Sequence, residues 1–218
     1  MYIIRQIEWS EVMYKCIILD VDGTMLNTLD VEIKCLQKVL GRRGIDASRE
    51  DLEFAFGVPT EKIFEHYEIE DIEDAAGEWN DCMAESISDI RFYDGVLEVL
   101  DRLKDSSITM GVVTSRTRAE LERDFIPLKL FKYFEYIVCE EDTECHKPHP
   151  EPLLKFLEIS GVKSEDCIYV GDTVYDLECA NSAQVDFALA KWGAKDPHTI
   201  EASIVLETPK DILSLAEI

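Results

Sequence analysis

The run Lys15-Cys-Ile-Ile-Leu-Asp20-Val-Asp22-Gly-Thr-Met-Leu-Asn-Thr28 decides how the rest of the chain is read. Cys16 to Leu19 is a short apolar stretch rich in β-branched residues, the pattern of a strand buried on both faces. It stops at Asp20, Asp22 follows two residues on, and Gly23 lets the backbone turn where a Cβ would be costly. In open α/β sheets, ligands bind in the crevice outside the carboxyl ends of the strands. Two carboxylates set there repel each other, and a cation relieves the repulsion. With oxygen ligands only, magnesium is the expected ion. A calcium loop starting at Asp20 would need glycine sixth and glutamate twelfth, where the chain has Met25 and Val31. A plain acidic turn is the alternative left open by this stretch alone.

Downstream of Thr28 the spacing becomes helical. Leu29, Ile33, Leu36 and Leu40 fall on one face, and Gly41 and Gly44 close that helix. Ser48 and Asp51 form a capping-box pattern opening a short helix through Phe56, ended by Gly57-Val-Pro59. Thr60 is placed to cap a helix carrying Ile63 and Phe64, and Ile72, Ala75, Ala76, Trp79, Met83 and Ile87 line a longer one. Residues 29–90 therefore read as an all-helical insert behind the first strand. From Asp94-Gly95 strands alternate with helices, which signals a parallel sheet. The strands are expected at 108–114, 136–139, 167–170, 185–189 and 204–206. The helices are expected at 96–104, 118–125, 150–160 and 175–183, with a last one from Pro209. The expected fold is α/β, a parallel-sheet core from 13–28 and 91–218 with an inserted helical segment, 29–90. Residues 1–12 carry no fold signal and read as an N-terminal extension.

Length and composition narrow the function. A chain of 218 residues suits one domain, or one with a modest insertion. A formal charge of −24 argues against nucleic acid or anionic membrane as partners, since both need a basic patch. A phosphate substrate would need cations gathered locally. No run of eighteen apolar residues exists, and residues 1–13 contain acids and no apolar core of a leader peptide. Seven cysteines without a C-x-x-C pair suggest a reducing cytoplasm and no disulfide framework, each cysteine serving as a small buried hydrophobe.

Three later strand ends also carry polar residues. Ile108-Thr-Met-Gly-Val-Val-Thr114-Ser115 ends in two hydroxyls before a helix, so hydroxyls and backbone N–H groups there suit phosphoryl oxygens; helix capping is the plainer alternative. Lys147-Pro148 precedes the helix at 150, where an ordinary surface lysine is the alternative. Tyr169-Val-Gly171-Asp172-Thr-Val-Tyr-Asp176 sets a second acidic pair beyond a strand. Asp176 fits the first turn of a helix by dipole alone, but Asp172 at the strand tip has no such explanation.

Taken in order, Asp20-Val-Asp22-Gly-Thr24, Thr114, Lys147-Pro148 and Gly171-Asp172-x-x-x-Asp176 resemble the four motifs of the haloacid dehalogenase superfamily of phosphohydrolases. The helical insert resembles that superfamily's α-helical cap, and the likeness runs from Met13 onward. The resemblance implies a Rossmann-like core with the four motifs around one Mg2+. It implies Asp20 as nucleophile and metal ligand, and Asp22 as general acid and base with its backbone carbonyl on the metal. Thr114 and Ser115 would hold the phosphoryl group, Lys147 would neutralise charge, Asp172 would bind the metal and Asp176 would stand behind it. Dehalogenases lack the acid at the position of Asp22. Phosphomutases similar to β-phosphoglucomutase carry an acid where this chain has Gly171, which looks more like the phosphatases. Ala190-Lys-Trp192-Gly193-Ala also resembles phosphoglycolate phosphatases and related pyrophosphatases, with core packing the alternative for Trp192. The phosphomutase and a catalytically idle binding protein stand as rival readings. Arg116 is a candidate for touching the substrate; Arg42, Arg43, Arg49 and Lys62 are weaker candidates, better explained as surface charge. The expected partner is a small phosphate ester, and the assembly a monomer or homodimer.

Overall fold

The computed structural model describes residues 13–55 and 58–216. The expectations placed on residues 1–12 and on the helix end at Phe56-Gly57 lie outside them. The chain opens with β1 (Cys16–Leu19), a short β2 (Leu26–Asn27) and the helices α1 (Leu29–Arg42), α2 (Arg49–Leu52), α3 (Thr60–His66) and α4 (Ile72–Glu85). After β3 (Arg91–Phe92) come α5 (Val96–Lys104), β4 (Thr109–Val113), α6 (Arg118–Leu128) and β5 (Tyr136–Val138). The remainder is α7 (Glu151–Ser160), β6 (Cys167–Gly171), α8 (Val174–Ala183), β7 (Asp186–Ala190) and β8 (Ile204–Leu206), closed by a 3₁₀ turn over Pro209–Leu215.

Six strands form a parallel sheet in the order β5-β4-β1-β6-β7-β8. All four β1 residues are buried, and they alternate: Ile17 and Leu19 join one apolar cluster, Cys16 and Ile18 the other. A strand covered by helices on both faces has no room for a polar position until it ends. Register decides where the ends fall. Leu19 lies level with Val112 on β4 and Val170 on β6, so three strands finish together. Asp20, Thr114 and Asp172, which follow those ends, are therefore delivered to one edge of the sheet.

Between Asn27 and Arg91 the described elements are helical, and α1 packs on α4 through their apolar faces. The chain enters and leaves this insert through an antiparallel ribbon pairing Leu26 with Phe92 and Asn27 with Arg91. Two-residue strands have no period to detect, so the ribbon escapes sequence reading.

Several local expectations change. Gly41 lies inside α1, and Gly44, at φ +78°, makes the turn after it. Thr60 begins α3 rather than capping it, and its hydroxyl donates to Glu120 of α6 at 3.1 Å, which joins insert to core. Pro127 sits inside the last turn of α6, which continues to Leu128. Ile87 belongs to a separate 3₁₀ turn, and the segment from Pro209 is 3₁₀ rather than α.

The cysteine reading is corrected at three positions. Cys35 on α1 and Cys82 on α4 form a disulfide, because helix packing brings two residues 47 apart in sequence to a Cα separation of 5.7 Å. Cys145 is exposed instead of buried. Among the described residues no helix is long and apolar enough to cross a membrane.

Candidate active site

Lys147 anchors one half of the cleft. Its ammonium lies 2.9 Å from Asp20 Oδ1, 2.7 Å from Asp176 Oδ1 and 3.1 Å from the Tyr169 hydroxyl, and all four side chains are buried. Tyr169 projects from β6 to within reach of the Val113 carbonyl at 3.0 Å and Asp176 at 2.9 Å, so it braces the lysine from beneath. Asp176 also forms the capping box of α8 with Thr173, whose N–H and hydroxyl donate to its Oδ2. It therefore caps a helix and grips the lysine with the same carboxylate.

Asp172 is held from the opposite direction. The Thr24 hydroxyl donates to its Oδ1 at 3.0 Å, while its Oδ2 is buried with no partner. Gly23 has two reasons to be glycine. Its φ is +74°, and a Cβ there would stand 2.0 Å from Asp172 Oδ2. Gly193 supports the same turn from behind, since a Cβ at that residue would fall 1.7 Å from the Gly23 carbonyl oxygen. Trp192 donates its indole N–H to the Thr24 carbonyl at 3.0 Å. The Trp192-Gly193 segment thus packs against the Asp20–Thr24 turn and fixes its position.

The charges in this half do not balance. Burial pushes the Asp20 carboxyl up; Lys147 pulls it back, Asp176 and Asp22 add to the rise, and it stands at about 7. Burial, then Asp176 and Asp20, hold Asp172 well above the usual carboxylate range. Asp176 goes the other way, because Lys147 outweighs burial. Three carboxylates share one lysine, and Asp20, Asp172 and Asp176 each offer an oxygen within 4.8 Å of the others. An orphaned buried oxygen, raised carboxylates and an all-oxygen donor set are what a hard divalent cation fits.

Asp22 occupies the other half. Arg116 grips it with two bonds, Nε to Oδ2 at 2.7 Å and Nη2 to Oδ1 at 2.5 Å, and Thr28 donates to it at 2.7 Å. The remaining arm of Arg116 pairs with the fully buried Asp124. Arg123 pairs with Asp124 as well, at 2.7 and 3.0 Å, and reaches Asn80 of α4 at 2.7 Å while its guanidinium lies over Trp79. Burial raises the Asp22 carboxyl, but Arg116 and Thr28 overcome it and hold it at about 2. Burial, then Asp22, push neighbouring Glu32 up to about 8.

Asp20, Lys147, Asp172 and Asp176 are thus gathered in one cluster, and Asp22, Ser115 and Arg116 line one cavity. Thr114 is buried, and its hydroxyl accepts the Arg116 backbone N–H at 3.2 Å. Neither Thr114 nor Ser115 caps α6; Thr117 does, with Glu120. A cavity of about 50 Å3, room for a few water molecules, lies between insert and core beside Asp22, Ser115 and Arg116. Arg116 lines it, with its guanidinium committed to two carboxylates. Arg42, Arg43, Arg49 and Lys62 pair with Glu78, Asp71, Asp30 and Glu65 in exposed ion pairs. Lys62 also lines a neighbouring cavity with Lys147, His146 and Tyr175.

Thr24 and Tyr169 stand in the motif stretches without a role expected of them, and Thr28, Glu32, Glu120 and Asp124 are not expected at the site. The only available signal was on α6, where Glu120 and Asp124 share a face with Leu121 and Phe125, and all four are buried.

Residues 17–190 match the family model described as haloacid dehalogenase-like hydrolase. A Clostridium perfringens protein with the provisional name pyrophosphatase PpaX is 30% identical over 210 residues, 94% of this chain and 98% of its own. The pyrophosphatase PpaX of Bacillus cereus strain AH820 is 27% identical over 91% of this chain and 94% of its own. A crystal structure from Lactobacillus plantarum, provisionally titled phosphoglycolate phosphatase, superposes with TM-score 0.84 at 28% identity, covering 93% and 99% of the two chains.

Proposed function

The chain belongs to the haloacid dehalogenase-like hydrolases, and from that premise we propose that it is a divalent-metal-dependent phosphatase for small phosphomonoesters. Asp20 attacks phosphorus and carries the phosphoryl group, which water then removes. Lys147, at 2.9 Å, favours the ionised form of Asp20 beside an incoming anion. The Thr114 hydroxyl and the backbone at Ser115 hold phosphoryl oxygens. Asp22 gives a proton to the departing alcohol and takes one from the attacking water. An acid held at about 2 is a poor proton donor, so the incoming substrate must draw Asp22 off Arg116 first. Asp20, Asp172 and the Asp22 backbone carbonyl would hold the metal, with Asp176 behind them. When bound, Mg2+ would supply positive charge for the phosphoryl oxygens.

The observation that carries this reading is the buried, partnerless Asp172 Oδ2 beside Asp20 and Lys147. Relatives named pyrophosphatase and phosphoglycolate phosphatase support hydrolysis at phosphorus. Residues 29–90 act as a cap whose closure excludes bulk water, and the assembly is a monomer or homodimer. The cytoplasm is the proposed location, where Cys35 and Cys82 would be reduced for much of the protein's life. The test is phosphate release from p-nitrophenyl phosphate with Mg2+, with chelator and by Asp20→Asn. Release that needs Mg2+ and vanishes in the variant is the expected result. A folded Asp20→Asn protein that still turns over ends the proposal.

A further inference from the structure

The loop that carries Lys147 also gathers a second set of ligand atoms. Between Glu144 and Glu151 the chain folds back on itself. The backbone N–H groups of Glu144 and Cys145 donate to the two carboxylate oxygens of Glu151, at 3.1 and 2.9 Å, and the His149 N–H donates to the His146 carbonyl at 2.8 Å. The fold brings the Cys145 thiol, a ring nitrogen of His149 and a carboxylate oxygen of Glu151 within 4.8 Å of one another.

This group differs in chemistry from Asp20, Asp172 and Asp176. Those three offer oxygen alone, which suits a hard ion. A thiolate, an imidazole and a single carboxylate suit a borderline-soft divalent ion, zinc above all, with a fourth tetrahedral position left for water. Magnesium, which seeks oxygen, is poorly matched to a thiolate.

The three side chains are also prepared for an ion. Glu151 opens α7, where the helix dipole favours its negative charge. Each of its oxygens accepts one backbone bond and keeps a lone pair, so those bonds orient the carboxylate without using it up. His149 Nδ1 lies 3.8 Å from Glu151 Oε2 and accepts only a long bond, 3.3 Å, from the Glu151 N–H. The Cys145 thiol donates to the Glu151 carboxylate, and a divalent ion takes the place of that proton, which is released to solvent. Cys145 and His149 are exposed, so an ion reaches them directly, and Cys145 is the one exposed free cysteine among the described residues.

We propose that Cys145, His149 and Glu151 bind one thiophilic divalent cation of the zinc class, which fastens the loop that presents Lys147 to Asp20. Cys145 stands two residues before Lys147 and His149 two residues after it, so an ion held by both ties the loop on either side of the lysine.

The experiment uses the full chain with its disulfide intact, in excess Mg2+ to fill the all-oxygen group. It is titrated with Co2+, whose bond to a thiolate absorbs in the near ultraviolet, and then with Zn2+. One equivalent of Co2+ should produce the thiolate absorption, and Zn2+ should remove it by displacement. Cys145→Ser, at an exposed position, should keep the circular dichroism spectrum and lose the absorption. His149→Ala and Glu151→Gln should each weaken Co2+ binding by about tenfold or more. Zn2+ should slow hydrogen exchange at the amides between Glu144 and Glu151 in the native chain and leave them unchanged in Cys145→Ser. None of these readouts depends on phosphate release, so the phosphatase reading stands or falls separately. Co2+ binding without the thiolate absorption, or an absorption that survives Cys145→Ser, would overturn the site. Unchanged affinity in both His149→Ala and Glu151→Gln would reduce it to a single reactive thiol and overturn it as well. Zn2+ binding that leaves exchange in the loop unaltered would overturn the fastening role.

Discussion

On one side the three buried carboxylates Asp20, Asp172 and Asp176 lie close together with one lysine, Lys147, which bonds Asp20 and Asp176; on the other, Asp22 and Asp124 are held by two cations, Arg116 and Arg123. The first group leaves a buried oxygen without a partner, while the Asp22 and Asp124 carboxylates are all bonded. Burying a charge costs several kcal/mol unless a partner offsets it. The Lys147 half can be completed by an ion from solution. The Arg116 half is already complete, and completion has a consequence of its own: Asp22 is locked until something displaces it. On the proposed function, one half accepts a cation and the other releases a side chain.

Breaking the first half should have the largest effect. Asp20→Asn is expected to lower kcat by at least about 10⁴-fold, since it removes the atom that bonds to phosphorus. The same change relieves repulsion with Asp176 and Asp22. The melting temperature of the metal-free protein should therefore hold or rise, which circular dichroism would follow. A drop in both activity and stability would mean that Asp20 is a structural residue. Asp22→Asn comes next. The expected loss is about 10²–10⁴-fold on alkyl phosphates, whose leaving groups need a proton. It should be far smaller on the p-nitrophenyl ester, whose leaving group does not. Equal losses on both would remove Asp22 from the proton path.

The two halves should also respond oppositely to pH. Asp20, raised to about 7, and Asp172, raised as well, have ordinary values near about 4 when unfolded. Between those limits the metal-free native state binds more protons than the unfolded chain, so stability falls as pH rises through that window. Asp22, held at about 2, has the opposite sign: its contribution is present above about pH 4 and is lost as pH falls toward 2. Magnesium should act on the first group only. The rise in melting temperature on adding Mg2+ should be larger at about pH 8 than at about pH 5, and a chelator should abolish it. A Mg2+ effect independent of pH would detach the ion from Asp20 and Asp172.

The halves differ in how far they could be read from sequence. Asp20, Thr114 and Asp172 were legible because each interrupts a buried strand, and a parallel sheet aligns those interruptions at one edge. Lys147 had no such local signal, and its place rested on the order of the motifs. The partners of Arg116 were harder. Asp124 and Glu120 look like solvent-facing acids on an ordinary helix until α6 turns that face inward. Trp79 reads as a core position of α4, and its buried N–H has no hydrogen-bond partner. Patterns along one element are visible in a sequence. Contacts between an insert and its core come from packing, so they are not. The Cys35–Cys82 pairing and the Leu26–Phe92 ribbon fall in the second class for the same reason.

The disulfide, which joins two helices of the insert, gives the smallest expected effect on turnover. Closing a loop of 47 residues stabilises by about 2–4 kcal/mol on the chain-entropy account. Reduction, or Cys82→Ser, should therefore lower the melting temperature by about 5–10 °C. The α1–α4 contact does not rest on the bond alone, because Ile33, Val39, Leu40, Ala75 and Met83 are buried in the same apolar cluster. Leu36 and Trp79, which line the cavity beside Asp22 from these helices, should keep their places. The kcat/KM for the p-nitrophenyl ester is then expected to change by less than about twofold on reduction. A larger change would show that the cavity wall beside Asp22 depends on the bond.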